Sequence, residues 1–397
     1  MNRLSKLQWT QVIQGLAVAA LVLLLALQNM GRQPDILEGL NQVLPGTTTY
    51  EKITGKHILY KAYRDAGTEK EFLGYGAVAG AAGYAGPITV LVGISPEAEI
   101  TDTVVMENFE TPLFWQKVMA HDYLSIFQGM PVTARIVPQE DVDVVAGATY
   151  STAGIANAVR KAAHWTGESE WGMQAAEEGQ TVLTPKVLGL AVLYLLVFLA
   201  IRRKSARLRI LTLGLGVVFL GFWQKYPLTF ANFTTLFSGN VPAFYENAFW
   251  HLLVVGVLLG VLLSGRNFYC SHICPFGAVQ EGINKLAGFQ VQPPREQARI
   301  ARRLRLPLAW AAFLIALLFH NHSIASFETF STLFQLQGNQ GQWFLMPFVL
   351  FVGVFIYRFW CRFFCPVGAV LDLAATLKRR VLKRWEKKSG KSTSSQS

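Results

Sequence analysis

The sequence predicts an α+β domain joined to an all-α polytopic membrane domain of about six transmembrane helices carrying an internal repeat. Three observations predict it. The chain of 397 residues is 52% hydrophobic, with a mean hydropathy of +0.31, too apolar for an ordinary soluble enzyme. Its apolar runs alternate with basic-flanked connections, and one long polar, glycine-containing stretch interrupts them. Its four cysteines, Cys270, Cys274, Cys361 and Cys365, form two pairs of identical spacing, each followed by proline.

The first apolar run, residues 12–27, follows Arg3 and Lys6. It reads as an uncleaved transmembrane anchor within 1–30, because its flank Ala26-Leu27-Gln28-Asn29-Met30 lacks a small-x-small cleavage site. Residues 31–184 form the α+β domain, with strand-like stretches at 87–94 and 134–137 and a helical stretch at 152–164. Five further apolar runs follow at 187–201, 210–223, 248–263, 306–319 and 343–357, inside a membrane domain of 185–385. Several fall short of the ~20 residues that span a bilayer core, so interfacial aromatics must extend them or neighbours must bury them. A solvated Lys/Ser tail, 386–397, is expected to be disordered.

The basic residues set the orientation. Arg202, Arg203, Lys204, Arg207 and Arg209 follow the second run, and the loop 264–305 is rich in arginine. The loops 225–247 and 320–342 hold Lys225 as their one lysine or arginine. Six spans with both termini in the cytoplasm satisfy this pattern and put the polar domain outside, in the periplasm of a bacterial inner membrane. The formal charge of +11 is then a signature of topology and lipid contact, and no nucleic-acid partner is expected.

Within the membrane part, Phe233-Thr234-Thr235-Leu236-Phe237 precedes one helix and the first cysteine pair, and Phe330-Ser331-Thr332-Leu333-Phe334 precedes another helix and the second pair. Both helices run in the same sense, so an axis along the membrane normal can bring the pairs face to face. Four thiolates suit one iron–sulfur cluster at the cytoplasmic face, with 4Fe-4S favoured over 2Fe-2S. A structural metal such as zinc, a thiol–disulfide relay, and plain buried cysteines are the competing readings. His272, inside the first pair, reads as a hydrogen-bond donor to cluster sulfur, and a dry shell is expected from Phe268, Tyr269, Phe276, Trp360, Phe363 and Phe364.

Outside the membrane part, Asp143-Val144-Val145-Ala146-Gly147-Ala148-Thr149-Tyr150-Ser151 runs directly into the predicted helix. By chemistry alone it is either an ordinary N-cap or a phosphate cradle, since Gly147 and Ala148 permit close approach to a helix N-terminus. The segment resembles the S/T-G-A-S/T-x-S/T motif of FMN-binding domains in the sodium-pumping NADH:quinone oxidoreductase, the Rnf complex and NosR/NirI-type proteins. The resemblance implies FMN joined as a phosphoester to Ser151, with Thr149 as the earlier hydroxyl of the motif. Ala146 stands where the family has a hydroxyl and Ser151 where it usually has threonine, so non-covalent FMN and attachment at Thr152 stay open. The stretch 83–94 resembles the strand that crosses these domains, and Glu110-Thr111-Pro112 resembles their flavin-side turn.

The order of anchor, flavin domain and paired Cys-x-x-x-Cys-Pro motifs resembles NosR/NirI-like membrane flavoproteins over nearly the whole chain. It implies electron transfer from a cytoplasmic donor (ferredoxin, flavodoxin or a reductase subunit) through the cluster to an extracytoplasmic FMN and an external acceptor, with a flavin transferase for maturation. No catalytic side chain is expected, because the cofactors carry the chemistry. A hydrocarbon core of ~30 Å separates the two expected cofactors. Either the flavin domain approaches a cluster sunk in the bilayer, or an additional intramembrane carrier such as a second flavin, haem or quinone lies between. A redox-sensing or maturation protein, and a thiol or metal transporter, are the alternatives.

Overall fold

The computed structural model describes residues 35–389 apart from 54–56, 67–68, 85, 111, 175–182, 240, 243, 245–246, 289–290, 320–326, 337 and 339. The expected N-terminal anchor, Thr111, and the tail from 390 on lie outside the described residues. The chain divides into two compact units. One runs to Gly179 and includes Thr234–Ala243 and Phe313–Ile324; the other comprises Gln180–Phe233, Phe244–Ala312 and the chain from Ala325.

In the first unit, helix α1 (Ile36–Val43) precedes five strands: β1 (Thr49–Ile53), β2 (Ile58–Ala66), β3 (Glu69–Ala82), β4 (Pro87–Ile94) and β5 (Ile100–Asn108). They form an antiparallel meander in sequence order. Helix α2 (Pro112–Ala120) and the long α3 (Thr149–Trp171) follow. The strand expected at 87–94 is β4, and its near-continuous apolar sequence fits its burial on both faces. Ile88, Val90, Val92 and Ile94 meet Ile155, Ala156, Val159 and Ala163 of α3 on one side. Leu91 meets Leu40, Val43 and Leu44 on the other. The alanines of α3 let its axis come close to the sheet, and Gly172, at φ +65°, closes the helix with a bond back to Glu168.

Two expectations change here. Helix α3 starts at Thr149, earlier than expected, so Ser151 lies in its first turn. The segment 134–137 is irregular and forms no strand. Val137 closes a local turn instead: its N–H donates to Asp141 Oδ2 at 3.0 Å, and its carbonyl accepts from Glu140 and Asp141. Ile136 has φ +46°, outside the β region.

The second unit is helical. It contains α4 (Pro185–Arg202), α5 (Ala206–Gly216) continuing into a π-helical segment Val217–Trp223, α6 (Phe230–Phe237), α7 (Ala248–Ser264), α8 (Pro275–Ala287), α9 (Arg295–Leu318), α10 (Phe330–Phe334), α11 (Gln340–Phe355), α12 (Phe359–Phe363) and α13 (Pro366–Ser389), with the end of α6 and of α9 counted in the first unit. All five described apolar runs are thus helical. Among the described residues, Pro185–Arg202 and Ala206–Trp223 are long and apolar enough to cross a membrane, with mean hydropathies of 1.9 and 1.5. Ala248–Ser264 and Gln340–Phe355 are shorter apolar helices. Helix α13 continues to Ser389, past the expected domain edge at 385.

Large apolar side chains point outward along these helices. On α4 they are Leu188, Val192, Leu195 and Phe198, and on α11 they are Phe344, Phe348 and Phe351. Their helical spacing makes continuous exposed stripes, which water alone would not favour.

Candidate functional site

Each cysteine pair spans a tight turn that ends at a helix N-terminus. Cys274 is the N-cap of α8 and Cys365 immediately precedes α13, each with proline at the first helical position, where the missing N–H costs nothing. The same bonds recur in both. Cys274 N–H donates to the Tyr269 carbonyl at 2.8 Å and Cys365 N–H to the Trp360 carbonyl at 2.9 Å. Ala278 N–H then reaches the Cys274 carbonyl, as Ala369 N–H reaches that of Cys365.

The fold brings the two distant pairs together. A Cβ added at Gly277, in the first motif, would stand 3.6 Å from Cys361 Sγ of the second. Burial pushes the Cys361 thiol up to about 12, and the neighbouring Cys274 adds to the shift. Cys365 likewise lies far above its ordinary value through burial and then Cys361, Cys270 and Cys274. Four thiolates can share this pocket only with a compensating positive charge, which a metal cluster supplies. Among the described residues no three His, Cys, Asp or Glu groups converge on a single-ion site.

The donor set fits an iron–sulfur centre in further respects. Gly277 and Gly368 keep the space beside the sulfurs free of side chain, and Gly368 N–H lies 3.4 Å from Cys365 Sγ as a donor. Tyr269, Phe276, Trp360 and Phe363 are buried around the motifs, whereas Phe364 is exposed and Phe268 half-buried. His272 Nδ1 pairs with Ser271 Oγ at 2.8 Å.

Close approach by α5 fixes the depth of the first motif. A Cβ at Gly216 would overlap the Ile273 carbonyl, so only glycine lets this helix lie against the turn. Leu228 N–H donates to Tyr269 Oη at 3.0 Å, Phe330 packs on Phe276 at 5.0 Å between ring centroids, and Phe327 approaches Trp360 at 6.0 Å. The connections expected outside the membrane therefore reach the cysteine motifs.

In the β-rich unit, the residues singled out from sequence converge on the N-terminus of α3. Gly147, at φ +81°, turns the chain into the helix; Ala148 is its N-cap, and no side chain caps the helix. Thr149 is half-buried at the first helical position, with its carbonyl accepting from Thr152 Oγ1 at 3.2 Å. Thr152 Oγ1 also donates to the Ala148 carbonyl at 3.0 Å. Ser151 and Glu110 are both buried, and Ser151 Oγ donates to Glu110 Oε2 at 2.6 Å. Glu110 Oε1 in turn accepts from Tyr84 N–H at 2.6 Å, in the turn between β3 and β4. Gly83 makes that geometry attainable, because a Cβ there would overlap Glu110 Oε1. An uncapped 23-residue helix with small residues at its entrance fits a phosphate group. Nearby, burial pushes the Tyr150 phenol up to about 12.

Comparison with known proteins matches residues 83–164 to an FMN-binding domain, and 246–294 with 343–384 to a 4Fe-4S binding domain. The regulatory protein NosR of Pseudomonas aeruginosa is 32% identical over 238 residues, 53% of this chain and 32% of that protein. The protein NirI of Paracoccus denitrificans is 31% identical over 191 residues, 43% of this chain and 27% of that protein. The chain thus carries an FMN-binding domain and a 4Fe-4S binding domain and is similar to NosR and NirI. It spans about a third or less of the length of these two relatives. A component of an ion-translocating oxidoreductase complex from Methanosarcina acetivorans is 26% identical over 171 residues, 39% of this chain and 90% of that protein.

Sequence reading missed one feature of this NosR/NirI-like chain. Arg358 stands three residues before Cys361 and grips Glu281, eleven residues after Cys270, at 2.7 Å. Asn267, three before Cys270, donates to Asp372 Oδ1, eleven after Cys361, at 2.8 Å. Each motif is thus tied to the acid that follows the other. Arginines also hold the motif backbones: Arg358 Nη1 donates to the Cys270 carbonyl at 2.7 Å, and Arg305, paired with Asp372, donates to the Cys361 carbonyl at 3.0 Å. Arg209 binds Glu281 through both ends of its fork and donates from Nε to the Ser271 carbonyl at 3.1 Å. Burial opposes ionisation of Glu281, but the hydrogen bonds from Arg209 and Lys285 and the charge of Arg358 outweigh it and hold the carboxyl well below the usual range. The acids at equal offsets were a readable signal; their crossed pairing was not.

Proposed function

We propose that the chain is an electron conduit of a bacterial inner membrane, taking electrons from a cytoplasmic donor such as a ferredoxin, a flavodoxin or a reductase subunit and passing them to an extracytoplasmic acceptor. Its four cysteines would hold one 4Fe-4S cluster, and its outer domain FMN as a phosphoester of Ser151. When bound, these groups supply the electron chemistry, and the chain supplies ligation, orientation and tuning. The observation that carries the reading is the approach of Cys361 to the first motif, inside a helical unit with outward apolar stripes.

Gly216 lies ten residues beyond Ala206, so its contact with Ile273 falls about 15 Å along the helix, half of the ~30 Å hydrocarbon core. Arg209, in the first turn of the same helix, also holds the Ser271 carbonyl, so the motif reaches from the basic end of that helix inward, which supports a cluster near the cytoplasmic face and leaves an additional carrier to bridge the rest of the core. Six spans, an internal duplication and cytoplasmic termini belong to the same proposal, supported by the recurring bonds of the two motifs and the arginine-rich segments. In the outer domain, Gly147 and Ala148 would admit the FMN phosphate. Glu110, 2.6 Å from Ser151 Oγ, is positioned to hold the proton that this hydroxyl gives up when a flavin transferase modifies it.

Peptide mapping by mass spectrometry tests the flavin half: protein matured with a flavin transferase should carry one FMN on the Ser151 peptide, and an unmodified peptide overturns attachment there. Cys274→Ser and Cys361→Ser should each abolish iron and acid-labile sulfide. Iron surviving both substitutions overturns the shared cluster. A second reading, redox sensing without sustained turnover, is favoured by the relatives named as regulatory proteins. Electron flow across sealed vesicles that stops at about one equivalent per protein would select it.

A further inference from the structure

A cavity of about 380 Å³ opens beside the first cysteine motif and is not used by the reading above. Its lining includes Lys204, Arg209 and Arg266, and no acidic residue. Arg209 is fixed there by its fork on Glu281, whose charge is already met by Lys285 and Arg358. The N-terminus of α5, capped by Ser205, faces the same space through Ser205 and Ala206, and adds the positive end of an 11-residue helix. Ala200, Ile201 and Phe268 form the apolar part of the wall, and Ser271 and His272 complete it. Ile201 continues the α4 helix that carries exposed Leu188, Val192, Leu195 and Phe198.

We infer that this cavity binds the phosphate headgroup of an anionic phospholipid, with its acyl chains lying along the apolar stripe of α4. Three cations and a helix N-terminus select a phosphate oxyanion, and the stripe running away from the cavity selects the lipid form over free phosphate. The site has a redox consequence, because Ser271 and His272, which lie between Cys270 and Cys274, line the same cavity. A bound negative charge there disfavours adding an electron to the cluster and lowers its midpoint potential. Only this consequence rests on the cluster assignment.

The test uses the full chain, delipidated in detergent and then titrated with phosphatidylglycerol, phosphatidylcholine or inorganic phosphate under native mass spectrometry. Wild type should retain phosphatidylglycerol selectively. The double variant Lys204→Gln/Arg266→Gln, whose two side chains are exposed, should bind it on the order of tenfold to thirtyfold more weakly. Equal retention by both proteins overturns the site. Inorganic phosphate binding that depends on Lys204 and Arg266, with no preference for phosphatidylglycerol, overturns the lipid assignment. In nanodiscs, replacing phosphatidylcholine with phosphatidylglycerol should lower the midpoint potential of wild type but not of the double variant. Selective lipid binding without iron would leave the site standing and sink the cluster reading alone.

Discussion

Replacing Arg358 by glutamine removes the charge that joins the two cysteine motifs. The side chain is 11% exposed, and it makes two charge-assisted bonds, to the Cys270 carbonyl and to Glu281. Such bonds contribute about 1.5–3 kcal/mol each. Glu281 keeps Arg209, Lys285 and Tyr357, so its charge is not left bare, and the net loss should be about 3 kcal/mol rather than the ~5 kcal/mol of an orphaned buried ion. The potential should move as well. With an effective dielectric of about 20, a unit charge roughly 7 Å from a redox centre contributes about 2 kcal/mol, on the order of 100 mV for one electron. Loss of a positive charge makes reduction harder, so the midpoint should fall. Potentiometric titration of the cluster signal reads the shift, and reversible unfolding in mixed detergent reads the stability. Arg358→Lys should recover much of the potential but little of the stability, because a point charge cannot span both acceptors. Paired with Glu281→Gln, Arg358→Gln should cost less than the sum of the single changes, with a coupling of about 1–3 kcal/mol. A cluster-loaded Arg358→Gln protein with unchanged potential and additive energetics would refute the crossed lock.

Three further outcomes follow from the β-rich unit. Ser151→Thr should retain a flavin-bearing peptide and Ser151→Ala should lose it, while far-ultraviolet dichroism stays that of the wild type; flavin still bound covalently to the alanine variant would move the attachment elsewhere. Gly154→Ala would bring a Cβ within 2.8 Å of the Ala82 carbonyl and 3.1 Å of Gly83 Cα, both backbone atoms, and should destabilise the unit by about 1–3 kcal/mol in a protease-resistance assay. An unchanged resistance would contradict the packing of α3 on the β3–β4 turn. Burial lowers the pKa of His164 below its ordinary value, against a partly opposing bond to the Ala134 carbonyl. The unfolded chain therefore takes up this proton first. Stability contributed by neutral His164 is full above the ordinary histidine pKa and is lost as pH falls from there through the folded value. His164→Gln should flatten that part of the thermal-unfolding profile, and an unaltered profile would exclude the group.

The parts whose physics is local are legible in adjacent residues. The apolar run of β4, the glycine and alanine entrance to α3, and the two Cys-x-x-x-Cys-Pro segments each carry their structural cause in adjacent residues. Helix α3 starting at Thr149, and the loss of a strand at 134–137, were harder to read, because a helix start and a short ladder depend on which backbone partners the rest of the fold supplies. Only tertiary structure decided that Ser151 turns inward to Glu110, forty-one positions away in sequence, and that Gly216 admits the Ile273 carbonyl. The crossed pairs Arg358–Glu281 and Asn267–Asp372 belong to the same class. Each local pattern gives a donor or a charge without naming its partner, and hydrogen bonds between distant segments exist only after both have been positioned by packing.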